Sequence, residues 1–93
     1  GTLTTLRKNA VKSCDFSGAT LKRANFSEAV LTFSRMTGAD LSDASFVNAD
    51  LSKVDFHGAD LSGADFTGAD LDGANLSGAR GLDTVKGFEA AQN

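Results

Sequence analysis

The stretch "GADLSGADFTGADLDGAN", from Gly58 to Asn75, repeats one five-residue pattern three times in succession. Each unit places a small residue, an acidic residue and a large apolar residue side by side, and two small or polar residues follow them. We call the large apolar residue the centre of its unit, so that Leu61, Phe66 and Leu71 are the centres of this stretch. The fold of this chain must therefore account for a repeat of five residues.

The same register continues without a break from residue 16 to residue 76, and every centre in it is large and apolar. The centres are Phe16, Leu21, Phe26, Leu31, Met36, Leu41, Phe46, Leu51, Phe56, Leu61, Phe66, Leu71 and Leu76. Two residues before each centre the residue is small, usually alanine, and the exceptions are Cys14, Ser34 and Val54. Glycine often stands two residues after the centre, where it suits a tight corner.

Neither a helix nor a long strand can use this period. Five residues of an α-helix advance roughly 140°, so successive centres would not form one apolar face. In a long strand, successive centres would point to opposite faces because five is an odd number. Within a unit, the small residue and the centre share one face. Each unit is therefore predicted to be a very short strand followed by a turn, and such a chain must coil and stack.

The units "ADLSG", "ADFTG", "ADLDG" and "ANLSG" resemble the A(D/N)LXX unit of the pentapeptide-repeat family. The resemblance is clear from Asp15 to Arg80, and Leu6 and Val11 are two weaker centres. It implies a right-handed quadrilateral parallel β-helix with four units per coil and with the centre and the alanine pointing inward. We therefore expect one all-β domain over residues 1–93, with nearly four coils formed by repeats at about residues 6–80.

The repeat ends after Arg80, and the remaining segment "GLDTVKGFEAAQN" carries helix signals. Asp83 is a predicted N-cap, and Val85 and Phe88 are three residues apart, on one face of a helix. We expect this cap, residues 81–93, to form a short helix that shields the strand edges of the last coil.

The acidic residue before each centre is predicted to face solvent and to accept hydrogen bonds from backbone N–H groups at the corner. Asn25 and Asn75 can accept the same hydrogen bonds, so the structure of the repeat is sufficient to explain the acidic residues. His57 follows a centre and should point outward, and Cys14 should be an inward small residue. The sequence therefore predicts no catalytic residues, no cofactor site and no metal site, and a protein that is not an enzyme.

The charges are unevenly distributed along the chain. Residues 1–37 carry a net charge of +4, residues 38–79 carry −7, and the whole chain carries −3. The stacked pairs Asp40/Asp60 and Asp50/Asp70 form the predicted acidic surface. The eight aspartates of residues 38–79 favour one alternative function: a DNA mimic that binds DNA gyrase, as in antibiotic-resistance proteins of the family. The short length, the basic N-terminal part and the small net charge oppose this alternative.

Departures from the repeat indicate a candidate partner surface. Val30 and Phe33 place apolar side chains at positions that are otherwise polar or glycine, and Val47 does so on the adjoining side. Our leading hypothesis is a non-enzymatic structural or protein–protein interaction module whose rigid β-helix displays side chains to a protein partner of unknown identity. Scattered surface hydrophobes, a spacer within a larger chain, and a weak homodimer through Phe33 remain open alternatives.

Composition limits the environment of the protein. No apolar run approaches the roughly 18 residues that span a bilayer, so we expect a soluble protein without membrane contact. The single cysteine cannot form an internal disulfide, which favours the cytoplasm over a lumenal or periplasmic compartment without fixing the choice. We expect no direct nucleic-acid binding. The chain begins at Gly1 rather than Met, as expected of a processed form or an excised domain.

Overall fold

The structure is a computed structural model that describes residues 14–88, and its units stack into a four-sided β-helix. Single-residue parallel bridges take the place of long strands, and they join positions twenty residues apart. The bridged pairs run Asp15–Arg35, Thr20–Asp40, Asn25–Ser45, Val30–Asp50, Arg35–Asp55, Asp40–Asp60, Ser45–Asp65, Asp50–Asp70, Asp55–Asn75 and Asp60–Arg80. Four units per coil are confirmed, the described residues make nearly four coils, and the right-handed sense stays a prediction. Leu6 and Val11 lie outside the described residues.

Each side of the β-helix ends in a four-residue β-turn. The carbonyl of the centre accepts a hydrogen bond from the N–H three residues later, as from Ala44 to Leu41 at 3.0 Å. The third residue of the turn has a positive φ of 58° to 72° at all thirteen corners from Gly18 to Gly78. A type II turn has this requirement at its third residue. Six corners meet it without glycine, at Arg23, Glu28, Phe33, Asp43, Asn48 and Lys53.

Neighbouring coils are joined by a parallel ladder of backbone hydrogen bonds between the corners. The N–H of Leu41 donates to the carbonyl of Asp60 at 2.8 Å, and the N–H of Asp60 donates to the carbonyl of Ala39 at 2.9 Å. The pattern recurs on all four sides. Because each side is so short, the ladder provides one bridge per unit before the chain turns again.

The centres fill the interior, and the phenylalanines meet at its middle. Phe26, Phe46 and Phe66 stack face to face along the axis, with ring centroids 5.1–5.2 Å apart. Phe56 comes from the opposite side and meets Phe46 edge-on at 5.7 Å. All of these rings are fully buried. The column of centres that contains Phe26, Phe46 and Phe66 therefore faces the column that contains Phe56, and the two aliphatic columns occupy the remaining sides.

The small inward residues confirm the predicted alternation. The alanines two residues before the centres are buried from Ala24 to Ala69. Val54 and Ser34, two of the exceptions, are also fully buried, and the Ser34 Oγ accepts a hydrogen bond from the backbone N–H of Cys14 at 3.1 Å. Cys14 is partly buried and carries a free thiol in the same column. This column therefore accommodates side chains larger than alanine.

The predicted helix that starts at Asp83 is wrong over the described residues. A 3-10 helix spans Leu82–Thr84, and it follows Gly81, whose left-handed φ of 78° marks the N-cap. Val85 is extended, and Lys86 then bridges to Asp65. Residues 89–93 of the predicted cap lie outside the described residues.

This C-terminal segment covers the last coil by continuing the ladder. Lys86 donates to the carbonyl of Ala64 and accepts from the N–H of Phe66, both at 2.8 Å. The Phe88 ring lies 5.4 Å from the Phe66 ring, so it extends the central stack. Lys86 follows Asp65 by twenty-one residues instead of twenty, and the 3-10 turn accommodates the extra residue.

Gly81 and Gly38 provide a matched test of this cover. Both have positive φ, so alanine at either site should destabilise the fold by about 1–2 kcal/mol. A Cβ on Gly38 would meet nothing within 4 Å, whereas one on Gly81 would approach the Ser62 Cα to 2.6 Å and its backbone N to 2.8 Å. We expect Gly81→Ala to lose about 1–3 kcal/mol more than Gly38→Ala in urea unfolding. Equal losses would contradict this packing of the segment.

Candidate partner surface

The outward polar residues form a regular network of short hydrogen bonds. At nine positions the side-chain oxygen of the residue before the centre accepts a hydrogen bond from the backbone N–H two residues later. These residues are Asp15, Asn25, Asp40, Asp50, Asp55, Asp60, Asp65, Asp70 and Asn75. At Asp60 the following serine, Ser62, also donates its hydroxyl at 2.7 Å. Asn25 and Asn75 make the same backbone contact as the aspartates. The predicted structural role of the acids is confirmed.

The network lowers the pKa of the carboxyls that take part in it. The hydroxyl of the residue two positions later is the largest cause, and the N–H of that residue acts in the same direction. The affected carboxyls are Asp15, Asp40, Asp50, Asp60 and Asp65. The Asp60 carboxylate acts in the opposite direction on the pKa of Asp40, but more weakly than these hydrogen bonds. All five side chains are therefore carboxylates at neutral pH.

The four residues of the predicted acidic surface form two separate pairs. Asp40 bridges to Asp60, and Asp50 bridges to Asp70. The two columns are ten residues apart, which is two sides of a four-sided coil, so the pairs lie on opposite sides of the β-helix. Within residues 14–88, no cluster of three His, Cys, Asp or Glu residues is close enough to hold a metal ion.

His57 lies on an outer side, as predicted. Its side chain is exposed, and its Nδ1 lies 3.0 Å from the Ser77 Oγ in the next coil. The backbone N–H of His57 donates to the Asp55 carboxylate, which also accepts from the Asn75 amide at 3.3 Å. These contacts tie together neighbouring coils on the surface.

Phe33 is the outstanding departure from this polar surface. Its side chain is 58% exposed, and its φ is 67°. The Lys53 Nζ lies 5.5 Å from the ring centroid, within the range of a cation–π contact. Every other described corner of the repeat carries glycine or a polar residue. Phe33 thus combines an unfavourable backbone region for a bulky residue with an unfavourable exposure.

Val30 lies at the other end of the same side and lines a shallow groove. The groove has a volume of about 310 Å³ and is lined by Glu28, Ala29, Val30, Asn48 and Asp50. Val30 and Asp50 are half-buried, while Glu28 and Asn48 are exposed. The sequence reasoning missed the groove, although the twenty-residue stacking of Glu28 over Asn48 could have revealed it.

Val47 stands around the corner from Val30, on the adjoining side, and is half-buried. Its carbonyl accepts a hydrogen bond from the N–H of Glu28 at 2.8 Å, which holds the two coils together beside the groove. We call the side formed by residues 30–33, 50–53 and 70–73 the Phe33 side. It contains Val30, Phe33 and the acidic pair Asp50/Asp70, whereas Val47 and the pair Asp40/Asp60 lie on other sides.

The geometry defines an all-β repeat protein in which four short sides enclose an aromatic and aliphatic core. The family model for pentapeptide repeats matches residues 12–48 and 39–78, with eight copies. The chain belongs to the pentapeptide repeat family. No curated protein sequence matches the chain.

Several solved structures of pentapeptide repeat proteins are similar to the chain. One from the thylakoid lumen of Arabidopsis thaliana is 39% identical, with 86% of this chain and 58% of that chain covered and a TM-score of 0.42. Rfr23 from the cyanobacterium Cyanothece 51142 is 28% identical, with coverages of 98% and 61% and a TM-score of 0.48. QnrB1, a plasmid-mediated fluoroquinolone resistance protein, is 17% identical, with coverages of 98% and 76% and a TM-score of 0.36.

The chain spans about three-fifths of the length of the first two of these proteins. With TM-scores below 0.5, these likenesses add nothing to the family assignment, which rests on the repeat itself. Among the described residues, no helix is long and apolar enough to cross a membrane.

The lowered pKa values predict how stability depends on pH. A carboxyl whose pKa is lower in the folded state binds fewer protons there, so protonation favours unfolding. The stabilisation is present above the ordinary aspartate value of 3.8 and is lost as the pH falls below it. We expect the free energy of unfolding, measured in urea, to be flat from pH 7 to pH 5 and to fall towards pH 3.

The control is the double variant Asp40→Asn and Asp60→Asn. Asparagine keeps the side-chain oxygen that accepts the backbone hydrogen bond, as Asn25 and Asn75 do, but it does not titrate. The double variant should therefore lose less stability between pH 5 and pH 3 than the parent chain. If the double variant lost as much unfolding free energy between pH 5 and pH 3 as the parent chain, groups other than Asp40 and Asp60 would cause the loss.

Proposed function

We propose that the protein is a non-enzymatic interaction module that holds a protein partner against the Phe33 side. The exposed phenylalanine at a left-handed corner carries this proposal. An aromatic residue at this corner costs roughly 1–2 kcal/mol in backbone energy, and its exposed ring contributes little to the core. A contact with a partner would bury the ring and so give the sequence a reason to keep it.

The rigidity of the scaffold supports this function. Phe33 is held between the ladder hydrogen bond from its own N–H to the Ser52 carbonyl, at 3.1 Å, and the turn bond from Ser34 to Leu31, at 2.9 Å. A side chain on such a support loses little backbone freedom when it binds. Aromatic side chains that are ordered before binding are common energetic anchors of protein interfaces.

The alternative function, a DNA mimic that binds DNA gyrase, receives less support from the charges. A mimic of the DNA backbone needs a continuous acidic surface, but the pairs Asp40/Asp60 and Asp50/Asp70 lie on opposite sides. On the two sides between them the acids bridge to basic residues, Asp55 to Arg35 and Asp65 to Lys86. The Thr20 column also ends in Arg80 below Asp60, which interrupts the acidic run. An apolar contact at Phe33 therefore has more support than an acidic contact with a DNA-binding protein.

Affinity capture from an extract of the source cells, with three versions of the chain, tests the proposal. Phe33→Asn removes the ring and installs a residue that this corner accepts, since Asn48 occupies the equivalent corner of another side. Arg23→Asn is the matched control at the diagonally opposite corner, which has a φ of 61°.

We expect one protein to be retained by the parent chain and by Arg23→Asn and to be lost with Phe33→Asn. Removal of an interface aromatic anchor typically weakens binding by about 2 kcal/mol or more, which is at least a thirtyfold effect. Identical retention by all three versions would contradict a partner site at Phe33.

A further inference from the structure

The groove beside Val30 has the chemistry of a site for a cationic side chain. The half-buried Val30 gives it an apolar floor, and two acidic residues, Glu28 and Asp50, line it on either side. The long stems of arginine and lysine pack on apolar surface while their charged heads reach carboxylates. Asn48 also lines the groove.

The groove and Phe33 are set at a distance that one short peptide can span. Val30 and Phe33 are three residues apart along one side, so their Cα atoms are at most roughly 10 Å apart. An extended segment covers that distance with residues two or three positions apart. A partner could therefore place an apolar side chain on Phe33 and a basic side chain in the groove at the same time.

The charge of the Phe33 side favours a basic partner segment over a second copy of this chain. It carries Asp50, Asp70 and Asp72 against Lys53, and Glu28 adds a further negative charge at its edge. A second copy of this chain that paired through the same side would bring together two surfaces that each carry a net negative charge. Like charges in contact across an interface oppose association, whereas basic residues complement this side.

From these observations we infer that the Phe33 side binds a basic segment of a partner protein, with an arginine or lysine side chain between Glu28 and Asp50 and an apolar side chain on Phe33. The inference rests on the proposed function and specifies the chemistry of the partner. The cation takes the groove because its stem covers Val30 and its head meets both carboxylates. The neighbouring apolar residue covers the ring that solvent now contacts.

The test uses the whole chain, labelled with ¹⁵N, and two peptides that differ in one residue. Acetyl-Leu-Gly-Gly-Arg-amide carries the cation three positions from the apolar residue, and acetyl-Leu-Gly-Gly-Gln-amide is its neutral match. Amide chemical shifts report which residues each peptide contacts. The arginine peptide should shift the amides of Glu28, Val30, Asn48 and Asp50 together with that of Phe33.

Binding of the glutamine peptide should be weaker by about two- to fivefold, the usual effect of an exposed charge pair. Added salt should reduce this difference. Asp50→Asn should weaken binding of the arginine peptide by a similar factor. Asp60→Asn, on the opposite side, should leave it unchanged. Equal binding of the two peptides, or shifts centred on Asp40 and Asp60, would overturn the inference.

Two further outcomes separate this inference from the function on which it rests. If the cell extract yields a partner that depends on Phe33 while the arginine peptide shows no preference over glutamine, the interaction module stands and the basic occupant is wrong. Sedimentation of the chain without peptide should give a monomer. A dimer that is lost in Phe33→Asn would overturn the inference in favour of a second copy of this chain.

Discussion

A left-handed residue at every fifth position is the constraint on which the rest of the structure depends. It closes each turn, so that the centre and the small residue of the next unit both point inward. Four such turns bring the chain back one coil further along, where the ladder hydrogen bonds satisfy the backbone. The stacking of phenylalanines at 5.1–5.2 Å follows, because the ladder fixes the separation of the coils.

The same constraint divides the corners into those that carry a side chain and those that are glycine. The six corners without glycine all lie between Arg23 and Lys53, whereas the five from Gly58 to Gly78 are glycine. Some side chains at the earlier corners fold over the glycines of the next coil: a Cβ on Gly63 would meet the Asp43 carboxylate, and one on Gly73 would come within 3.2 Å of the Lys53 Cγ. Phe33 is the one apolar residue among the six corners without glycine. Two more of these corner residues, Glu28 and Asn48, line the groove beside Val30.

The sequence was sufficient for the repeating part of this structure and insufficient for its end. The register of centres predicted the buried residues from Leu21 to Leu71 because alternation within each unit leaves no other inward set. The segment after Arg80 misled the prediction, since Asp83 and the spacing of Val85 and Phe88 imitate a helix start. A helix of about ten residues is marginal on its own. Ladder hydrogen bonds to Ala64 and Phe66 and the contact of Phe88 with Phe66 outweigh that local preference.

The candidate site was predictable only in part, for a similar reason. Val30 and Phe33 stood out as departures from the repeat, and twenty-residue stacking placed Asp50 beside them. The groove was not foreseen, because it depends on how far the side chains of Glu28 and Asn48 leave the space over Ala29 and Val30 open.

The central claim is that Phe33 occupies its strained corner for contact with a partner and not for stability. Equilibrium unfolding of Phe33→Asn in urea tests it directly, with Phe46→Ala as the buried reference. Relief of the left-handed strain should offset the lost contact with Lys53, so the free energy of unfolding should stay within about 0.5 kcal/mol of the parent value. Phe46→Ala should lose about 3–5 kcal/mol. A loss of about 2 kcal/mol or more in Phe33→Asn would make Phe33 a structural residue and contradict the account.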